Sequence, residues 1–161
     1  MDINEENDIS TNISTNISTK HLKISKINNF IYLGSHEHPF MDSDEFQKLG
    51  IDVIINCAKE VEYPPGSKYR IENFPIIDGN SISLLENMDQ INNKMHYYLS
   101  KGKKIYLHCV KGMSRSPIIL IYYLMMHKGF TYDRAHDLLK ALRPVIDVDP
   151  EFESSLRAIE N

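Results

Sequence analysis

A chain of 161 residues with 42% hydrophobic content is long enough to bury one sizeable core, so we expect a single compact domain. Its net charge of −4, without a stripe of Lys and Arg, argues against a general nucleic-acid-binding protein. The longest apolar run, residues 118–126, is too short to span a bilayer, and there is no apolar N-terminal run. With only two cysteines, these features predict a cytoplasmic protein without membrane association.

The N-terminal 20 residues differ in composition from the rest of the chain. They are polar and contain a short repeat, Thr-Asn-Ile-Ser, at residues 11–14 and 15–18. No strand or helix periodicity is long enough there to pack against a core. We therefore predict a disordered tail over residues 1–20 and one folded domain over residues 21–161.

The folded domain opens with two apolar stretches around an Asn-rich turn. Residues 22–27 and 30–34 are strand-like and an Asn-Asn pair joins them, which predicts a β-hairpin. The following His36 and His38 could place two imidazoles on one side of an extended segment, but a metal site needs more ligands and none is obviously paired with them. We interpret them as part of a solvated loop rather than a metal site.

Strand and helix patterns then alternate along the chain. Residues 51–57 and 69–77 predict strands, and the first has an apolar run continuous enough to be covered on both faces. Capping signals followed by apolar positions at helical spacing predict four helices. These helices are predicted to begin at Asp42, Ser83, Thr131 and Asp149. This order predicts an α/β fold, a single-domain sandwich with a central, largely parallel mixed sheet flanked by helices, whose ligand lies at the carboxyl ends of the strands.

The stretch with the clearest chemical content is residues 104–117. A short apolar strand ends there at Cys109, and a loop leads into a fifth helix, which Ser116 and Pro117 are predicted to cap and open. Such a junction directs several backbone N–H groups and the positive end of a helix dipole into one concavity, which suits a tetrahedral oxyanion. Gly112 supplies the positive φ that the loop needs. Because Cys109 faces the same N–H groups, we expect a lowered thiol pKa and a nucleophilic thiolate.

A cation follows the cysteine at a fixed spacing. Arg115, six residues after Cys109, can return across the loop and bind two oxygens of a phosphate group. Ser116 can donate a hydrogen bond to the sulfur when the sulfur must leave. The residues predicted to bind the phosphate are Val110, Lys111, Gly112, Met113, Ser114 and Arg115.

The full string His108-Cys109-x-x-Gly112-x-Ser114-Arg115-Ser116 resembles the signature loop of the dual-specificity phosphatases, a branch of the cysteine-based protein tyrosine phosphatases. Weaker matches at residues 32–35, 55–58 and 75–78 occur in the expected order.

This resemblance assigns chemical roles to two further residues. It implies that Asp78 is the general acid and that His108 tunes the thiolate through hydrogen bonds. A plain turn-forming role for Asp78 before Gly79 is the alternative. The implied mechanism needs no metal or cofactor: Cys109 attacks phosphorus while Asp78 protonates the leaving oxygen, and water then hydrolyses the phosphocysteine.

The resemblance also implies the substrate class, namely phosphotyrosine and phosphoserine/threonine on proteins. The absence of a sizeable insertion predicts a shallow pocket that accepts all three. Lys111 is a second cation at the pocket, so phosphoinositides and RNA 5′-triphosphates are alternative substrates, and a catalytically weak phosphate-binding module is a further alternative. The segment of residues 145–149 is longer and more acidic than is usual in the family. The resemblance therefore does not imply that these residues contact the substrate.

The second cysteine, Cys57, ends a predicted strand. We expect this strand to lie beside the signature strand, which is the strand of residues 105–107 that leads to Cys109. The sulfur of Cys57 is then a candidate for trapping oxidised Cys109 as a disulfide, a role that a similar cysteine plays in some phosphatases of this superfamily. The alternative is an inert buried thiol.

Overall fold

The structure is a computed structural model that describes residues 23–160. The tail predicted over residues 1–20 lies outside the described residues and stays a prediction. Within the described part lie five strands and six helices. In chain order they are β1 (Ser25–Lys26), β2 (Ile31–Gly34), α1 (Glu37–Met41), α2 (Asp44–Lys48), β3 (Val53–Ala58), β4 (Arg70–Ile76), α3 (Ser81–Ser100), β5 (Ile105–His108), α4 (Arg115–Lys128), α5 (Tyr132–Leu142) and α6 (Pro150–Ile159).

The strands form one sheet in the order β1-β2-β5-β3-β4. Only β1 is antiparallel to its neighbour, and β2, β5, β3 and β4 run parallel. The predicted hairpin and the predicted largely parallel mixed sheet are therefore confirmed. The signature strand β5 is central, with Gly34 of β2 and Asn56 of β3 both in register with His108. Three parallel strands thus end at the same edge, where Cys109 follows.

Both faces of the central strands β3 and β5 are covered, as the nearly continuous apolar run of residues 51–57 predicts for β3. Alternate residues of a strand point to opposite faces. Leu107 of β5 points into a large core shared with helices α3 to α6, whereas Tyr106 points into a smaller core closed by Phe46 of α2. All residues of β3 and β5 are buried. The central strand is therefore a rigid support for the residue that follows it.

The predicted starts of two helices are wrong, because a neighbouring residue takes the capping position. Ser43, not Asp42, accepts the hydrogen bond from the N–H of Phe46 at the start of α2. Asn80, not Ser83, accepts from the N–H of Ser83 at the start of α3. Either of two nearby side-chain acceptors can satisfy the free N–H groups of a helix start, and the sequence does not rank them.

The prediction that His36 and His38 lie in a solvated loop is also wrong. Helix α1 begins at Glu37, and the Nδ1 of His36 lies 3.0 Å from the carbonyl oxygen of Val110, so this region contacts the signature loop. Three large apolar side chains of the helices lie at the surface and not in the core. They are Leu85, Met126 and Ile159, with exposed fractions of 48%, 57% and 47%.

Candidate active site

The loop between β5 and α4 surrounds a pocket of about 460 Å³. Cys109 lies at its base, directly after the central strand, and α4 begins at Arg115. Ser114 occupies the capping position of α4, so the predicted cap at Ser116 is wrong. Of the residues predicted to bind phosphate, all but Gly112 line the pocket. Glu60, Asp78 and residues 147–150 complete the wall.

Cys109 is only 3% exposed, and its sulfur lies 3.3 Å from the hydroxyl oxygen of Ser116. Burial alone raises the pKa of the Cys109 thiol, because a buried thiolate loses its hydration. Hydrogen bonds from the side chain and backbone of Ser116, the charge of Arg115 and the N–H of Gly112 outweigh burial, so the pKa of Cys109 is lowered from its ordinary value. These groups together therefore favour the thiolate form of Cys109.

The guanidinium of Arg115 is held by a carboxylate on the opposite wall. Its two terminal nitrogens lie 2.6 and 2.7 Å from the two carboxylate oxygens of Glu60, and one of them also donates to the carbonyl oxygen of Ile76 at 3.0 Å. Arg115 is 4% exposed, whereas the Glu60 side chain is 56% exposed. The hydrogen bonds from Arg115 lower the pKa of Glu60. A fork–fork pair of this kind fixes the plane of the guanidinium at the pocket.

The signature loop is supported from beneath by Arg143, which is 1% exposed. Its guanidinium donates to the carbonyl oxygens of Gly112 at 2.8 Å, Lys111 at 2.9 Å and Lys23 at 2.5 Å. Gly112 has a φ of +71°, and a Cβ there would lie 2.5 Å from the carbonyl oxygen of Gly34. The loop can therefore approach β2 only with glycine at this position.

Replacement of Arg143 by Lys should loosen this loop. Lysine keeps the charge but cannot donate to several carbonyl groups in fixed directions, so we expect the free energy of unfolding to fall by roughly 2 to 4 kcal/mol, together with kcat/KM. Urea denaturation and initial rates measure both quantities. Arg157→Lys is the matched control, because Arg157 forms its ion pairs at the surface. Equal losses of stability in the two variants would contradict this role for Arg143.

Asp78 follows the end of β4 and lines the same pocket as Cys109 and Arg115. Its carboxylate is exposed and acts electrostatically on Arg115. The sheet therefore brings together Cys109, Arg115 and Asp78, as the sequence predicts. Residues 147–149 reach the pocket because the N–H of Asp147 donates to the carbonyl oxygen of Met113 at 2.8 Å.

Cys57 is fully buried and lies beside Cys109. Asn56 of β3 pairs in register with His108 of β5, so the next residues are neighbours at this edge, Cys57 within β3 and Cys109 directly after β5. Both belong to the same core, and both thiols are free. Burial raises the pKa of Cys57 well above its ordinary value, and the nearby Cys109 raises it further. Cys57 is thus a neutral thiol next to Cys109.

Sequence reasoning missed three residues at this site: Glu60, Arg143 as a loop support, and Tyr63, whose hydroxyl oxygen lies 2.7 Å from the Nε2 of His108. Glu60 lies 55 positions from its partner Arg115, and no local pattern connects the two. Arg143 precedes a proline, which indicates only a helix end.

Among residues 23–160 no group of three or more His, Cys, Asp or Glu side chains is arranged to hold a metal ion. Within the same range, no helix is long and apolar enough to cross a membrane.

The family model described as "Dual specificity phosphatase, catalytic domain" matches residues 31–161. The chain belongs to the dual specificity phosphatase family. Protein-tyrosine-phosphatase IBR5 of Arabidopsis thaliana is 30% identical over 132 residues, which cover 81% of this chain and 48% of that protein. Dual specificity protein phosphatase 12 of Mus musculus is 25% identical over 133 residues, which cover 81% of this chain and 39% of that protein. The chain thus spans less than half the length of these two relatives.

Solved structures in this phosphatase family share the fold. DUSP15 superposes with a TM-score of 0.76 at 23% identity, over 84% of this chain and 85% of that one. Human DUSP28 superposes with a TM-score of 0.75 at 22% identity, over 85% of this chain and 92% of that one. Because these superpositions cover most of both chains, the predicted phosphatase-like α/β fold is confirmed.

Proposed function

We propose that the chain hydrolyses phosphotyrosine and phosphoserine/threonine monoesters on proteins through a phosphocysteine intermediate. The observation that carries the proposal is the convergence of the Cys109 thiol, the Arg115 guanidinium and the Asp78 carboxyl group in one pocket. Membership of the dual specificity phosphatase family supports the same reaction class. The reaction needs each of these three roles, so a module that only binds phosphate is the weaker alternative.

The first step forms a bond between the Cys109 sulfur and phosphorus. The bond from phosphorus to the ester oxygen breaks, and Asp78 gives its proton to that oxygen, so the leaving group departs as a neutral alcohol or phenol. Phosphoryl transfer leaves mostly charge stabilisation and positioning to the protein. We assign these tasks to Arg115 and to the backbone N–H groups of residues 110–115.

The second step returns the enzyme to its starting state. Asp78, now a carboxylate, removes a proton from the attacking water while the water oxygen forms a bond to phosphorus. The bond from phosphorus to sulfur breaks, and inorganic phosphate is released. The sulfur leaves as a thiolate, and the hydroxyl group of Ser116, 3.3 Å away, can stabilise it by donating a hydrogen bond. Glu60 holds Arg115 in place between turnovers and must share the guanidinium with the bound phosphate.

The charges around the pocket favour monoesters over substrates that carry several phosphates. Glu60 is paired with Arg115, so the other charged side chains among the described residues that line the pocket are Asp78, Asp147, Asp149 and one cation, Lys111. A phosphoinositide or an RNA 5′-triphosphate would bring extra negative charge against these carboxylates. A phosphorylated protein side chain places one phosphate at the base and no further phosphate at the rim.

A substrate panel tests the proposal. Initial rates are compared for an aryl phosphate, for peptides with phosphotyrosine, phosphoserine or phosphothreonine, for a phosphoinositide and for RNA 5′-triphosphate. We expect the aryl phosphate and the phosphopeptides to be hydrolysed at the highest kcat/KM. A higher kcat/KM for the phosphoinositide or the RNA would contradict the proposal and identify that compound class as the substrate.

A cytoplasmic location and a role in signalling belong to this proposal. Both cysteines are free in the structure, and a nucleophilic thiol persists in a reducing compartment. The chemistry assigned above uses no metal or cofactor, and phosphorylated proteins are the partners it requires.

We further propose that Cys57 protects Cys109 from irreversible oxidation. Peroxide converts a thiolate to a sulfenic acid, and a neighbouring thiol displaces water from it to form a disulfide, which dithiothreitol reduces. We expect activity lost to peroxide to return with dithiothreitol in the wild-type protein and to return several-fold less in Cys57→Ser. Equal recovery, or no peptide joining Cys57 to Cys109 in mass spectra of the oxidised protein, would contradict this role.

A further inference from the structure

One stretch of the pocket wall, residues 147–150, has no task in the proposed reaction. It links α5 to the first residue of α6. The N–H of Asp147 donates to the carbonyl oxygen of Met113 at 2.8 Å, and the N–H of Asp149 donates to the hydroxyl oxygen of Ser114 at 2.9 Å. Two hydrogen bonds therefore hold this stretch against the signature loop, so its backbone keeps a fixed place in the wall.

The stretch is also anchored by apolar packing. Ile146, directly before it, is 1% exposed, and Val148 packs against the large core. Asp147 and Asp149 alternate with these two residues and line the pocket, the first exposed and the second half-buried. Both carboxylates therefore belong to the wall that a bound substrate faces.

The two carboxylates differ in what they bind within the protein. The Oδ1 of Asp149 accepts a hydrogen bond from the N–H of Glu151 at 2.8 Å, and Asp149 thereby caps α6. The carboxylate of Asp147 has no hydrogen-bond or ion-pair partner among residues 23–160. An ionised carboxylate only accepts hydrogen bonds, so Asp147 is available to a positively charged donor on the substrate.

The charges of the pocket favour such a cation beside the phosphorylated residue. Arg115 is already paired with a carboxylate, and Asp78 enters the first step in its protonated form. Among the described pocket residues, Asp147 and Asp149 then stand against one cation, Lys111. A substrate adds the negative charge of its phosphate group. A basic side chain next to that phosphate offsets the excess, whereas an acidic side chain increases it.

We infer that Asp147 is a specificity-determining residue: it binds a Lys or Arg side chain that lies within a few positions of the phosphorylated residue. The preferred substrates of the proposed reaction are then proteins phosphorylated beside basic residues. The protein kinases that supply them must accept basic residues at the same positions. The inference rests on the proposed function, because it takes the ligand of the pocket to be a phosphorylated peptide.

Three phosphotyrosine peptides of one length test this role, with Lys, Ala or Glu at the two positions on each side of the phosphotyrosine. We expect the wild-type kcat/KM to fall in the order Lys, Ala, Glu. Asp147→Asn should lower the ratio of kcat/KM for the Lys and Ala peptides roughly two- to fivefold, the range of an exposed ion pair. High salt should lower the wild-type ratio as well, because it screens exposed charges. A purely structural role would change both rates and leave the ratio unaltered.

Three further variants separate the charge of Asp147 from other effects. Asp147→Glu keeps the charge and should keep the ratio, whereas Asp147→Lys should reverse the order of the three peptides. Asp137→Asn is the matched control, because it removes the same charge from an exposed side chain of α5 that does not line the pocket. We expect Asp137→Asn to leave the ratio at its wild-type value.

Equal wild-type kcat/KM for the three peptides overturns the inference, as does an unchanged ratio in Asp147→Asn or the same loss in Asp137→Asn. If no phosphopeptide is hydrolysed, the proposed function fails. Calorimetric titration of the same peptides into Cys109→Ser then decides the inference by itself. We expect the Lys peptide to bind severalfold more tightly than the Ala peptide, and equal affinities would overturn the inference.

Discussion

Cys109→Ser should lose hydrolysis of every phosphate monoester while still binding phosphate. A serine hydroxyl at this position cannot ionise at neutral pH, and the pocket stabilises a thiolate and not a neutral hydroxyl. Loss of an enzyme's nucleophile can lower kcat by a factor on the order of 10⁶. The Arg115 guanidinium and the loop N–H groups remain, so a phosphopeptide should still bind with an affinity near the wild-type KM. Initial rates and calorimetric titration measure the two properties.

The matched control for this experiment is Cys57→Ser, the same chemical change at the neighbouring buried thiol. Without peroxide we expect Cys57→Ser to keep turnover within a few-fold of wild type, because Cys57 does not line the pocket. Turnover that survives Cys109→Ser would contradict covalent catalysis by this residue. Phosphopeptide binding that disappears in Cys109→Ser would show that the loop needs the sulfur for its shape.

Asp78→Asn should slow hydrolysis according to the leaving group. An amide cannot protonate the ester oxygen, and general acid catalysis typically contributes about 10² to 10⁴ in rate. The serine side chain would leave phosphoserine as a poorly stabilised alkoxide, so it needs this proton. The phenolate of an activated aryl phosphate is stable enough to leave without it. We therefore expect kcat for phosphoserine peptides to fall by at least about tenfold more than kcat for a nitrophenyl phosphate.

Asp147→Asn provides the control for Asp78, because Asp147 lines the same pocket and the substitution removes the same charge. We expect Asp147→Asn to change the rates for both leaving groups to a similar, small extent. If the leaving-group dependence appears in Asp147→Asn and not in Asp78→Asn, the general acid belongs to the 147–149 loop. Equal slowing of all substrates in Asp78→Asn would indicate only an electrostatic role.

The features that could be predicted from the sequence are those whose residues are contiguous or periodic. Cys109 and Arg115 lie in one short loop, and the full string of residues 108–116 around them predicts a common phosphate site. The structure places both residues in one pocket. The nearly continuous apolar run at residues 51–57 predicts a strand buried on both faces, and β3 is such a strand.

The features that could not be predicted depend on partners far apart in the chain. Glu60 pairs with Arg115, and Tyr63 with His108, across 55 and 45 positions. Each contact arises only when the loop after β3 folds over the end of β5. The predictions of two helix starts were wrong for a local reason. Adjacent acceptors such as Asp42 and Ser43 compete for the same N–H groups.

The most direct test of the account is to trap the covalent intermediate. Asp78→Asn should hydrolyse the phosphocysteine slowly, because Asp78 also activates the water. The variant is mixed with excess aryl phosphate, quenched in acid within milliseconds, digested and analysed by mass spectrometry. The account predicts one added phosphoryl group on the peptide that contains Cys109, and none in Asp78→Asn that also carries Cys109→Ser. Rapid product release with no phosphoryl group on Cys109, or the group on another residue, would contradict it.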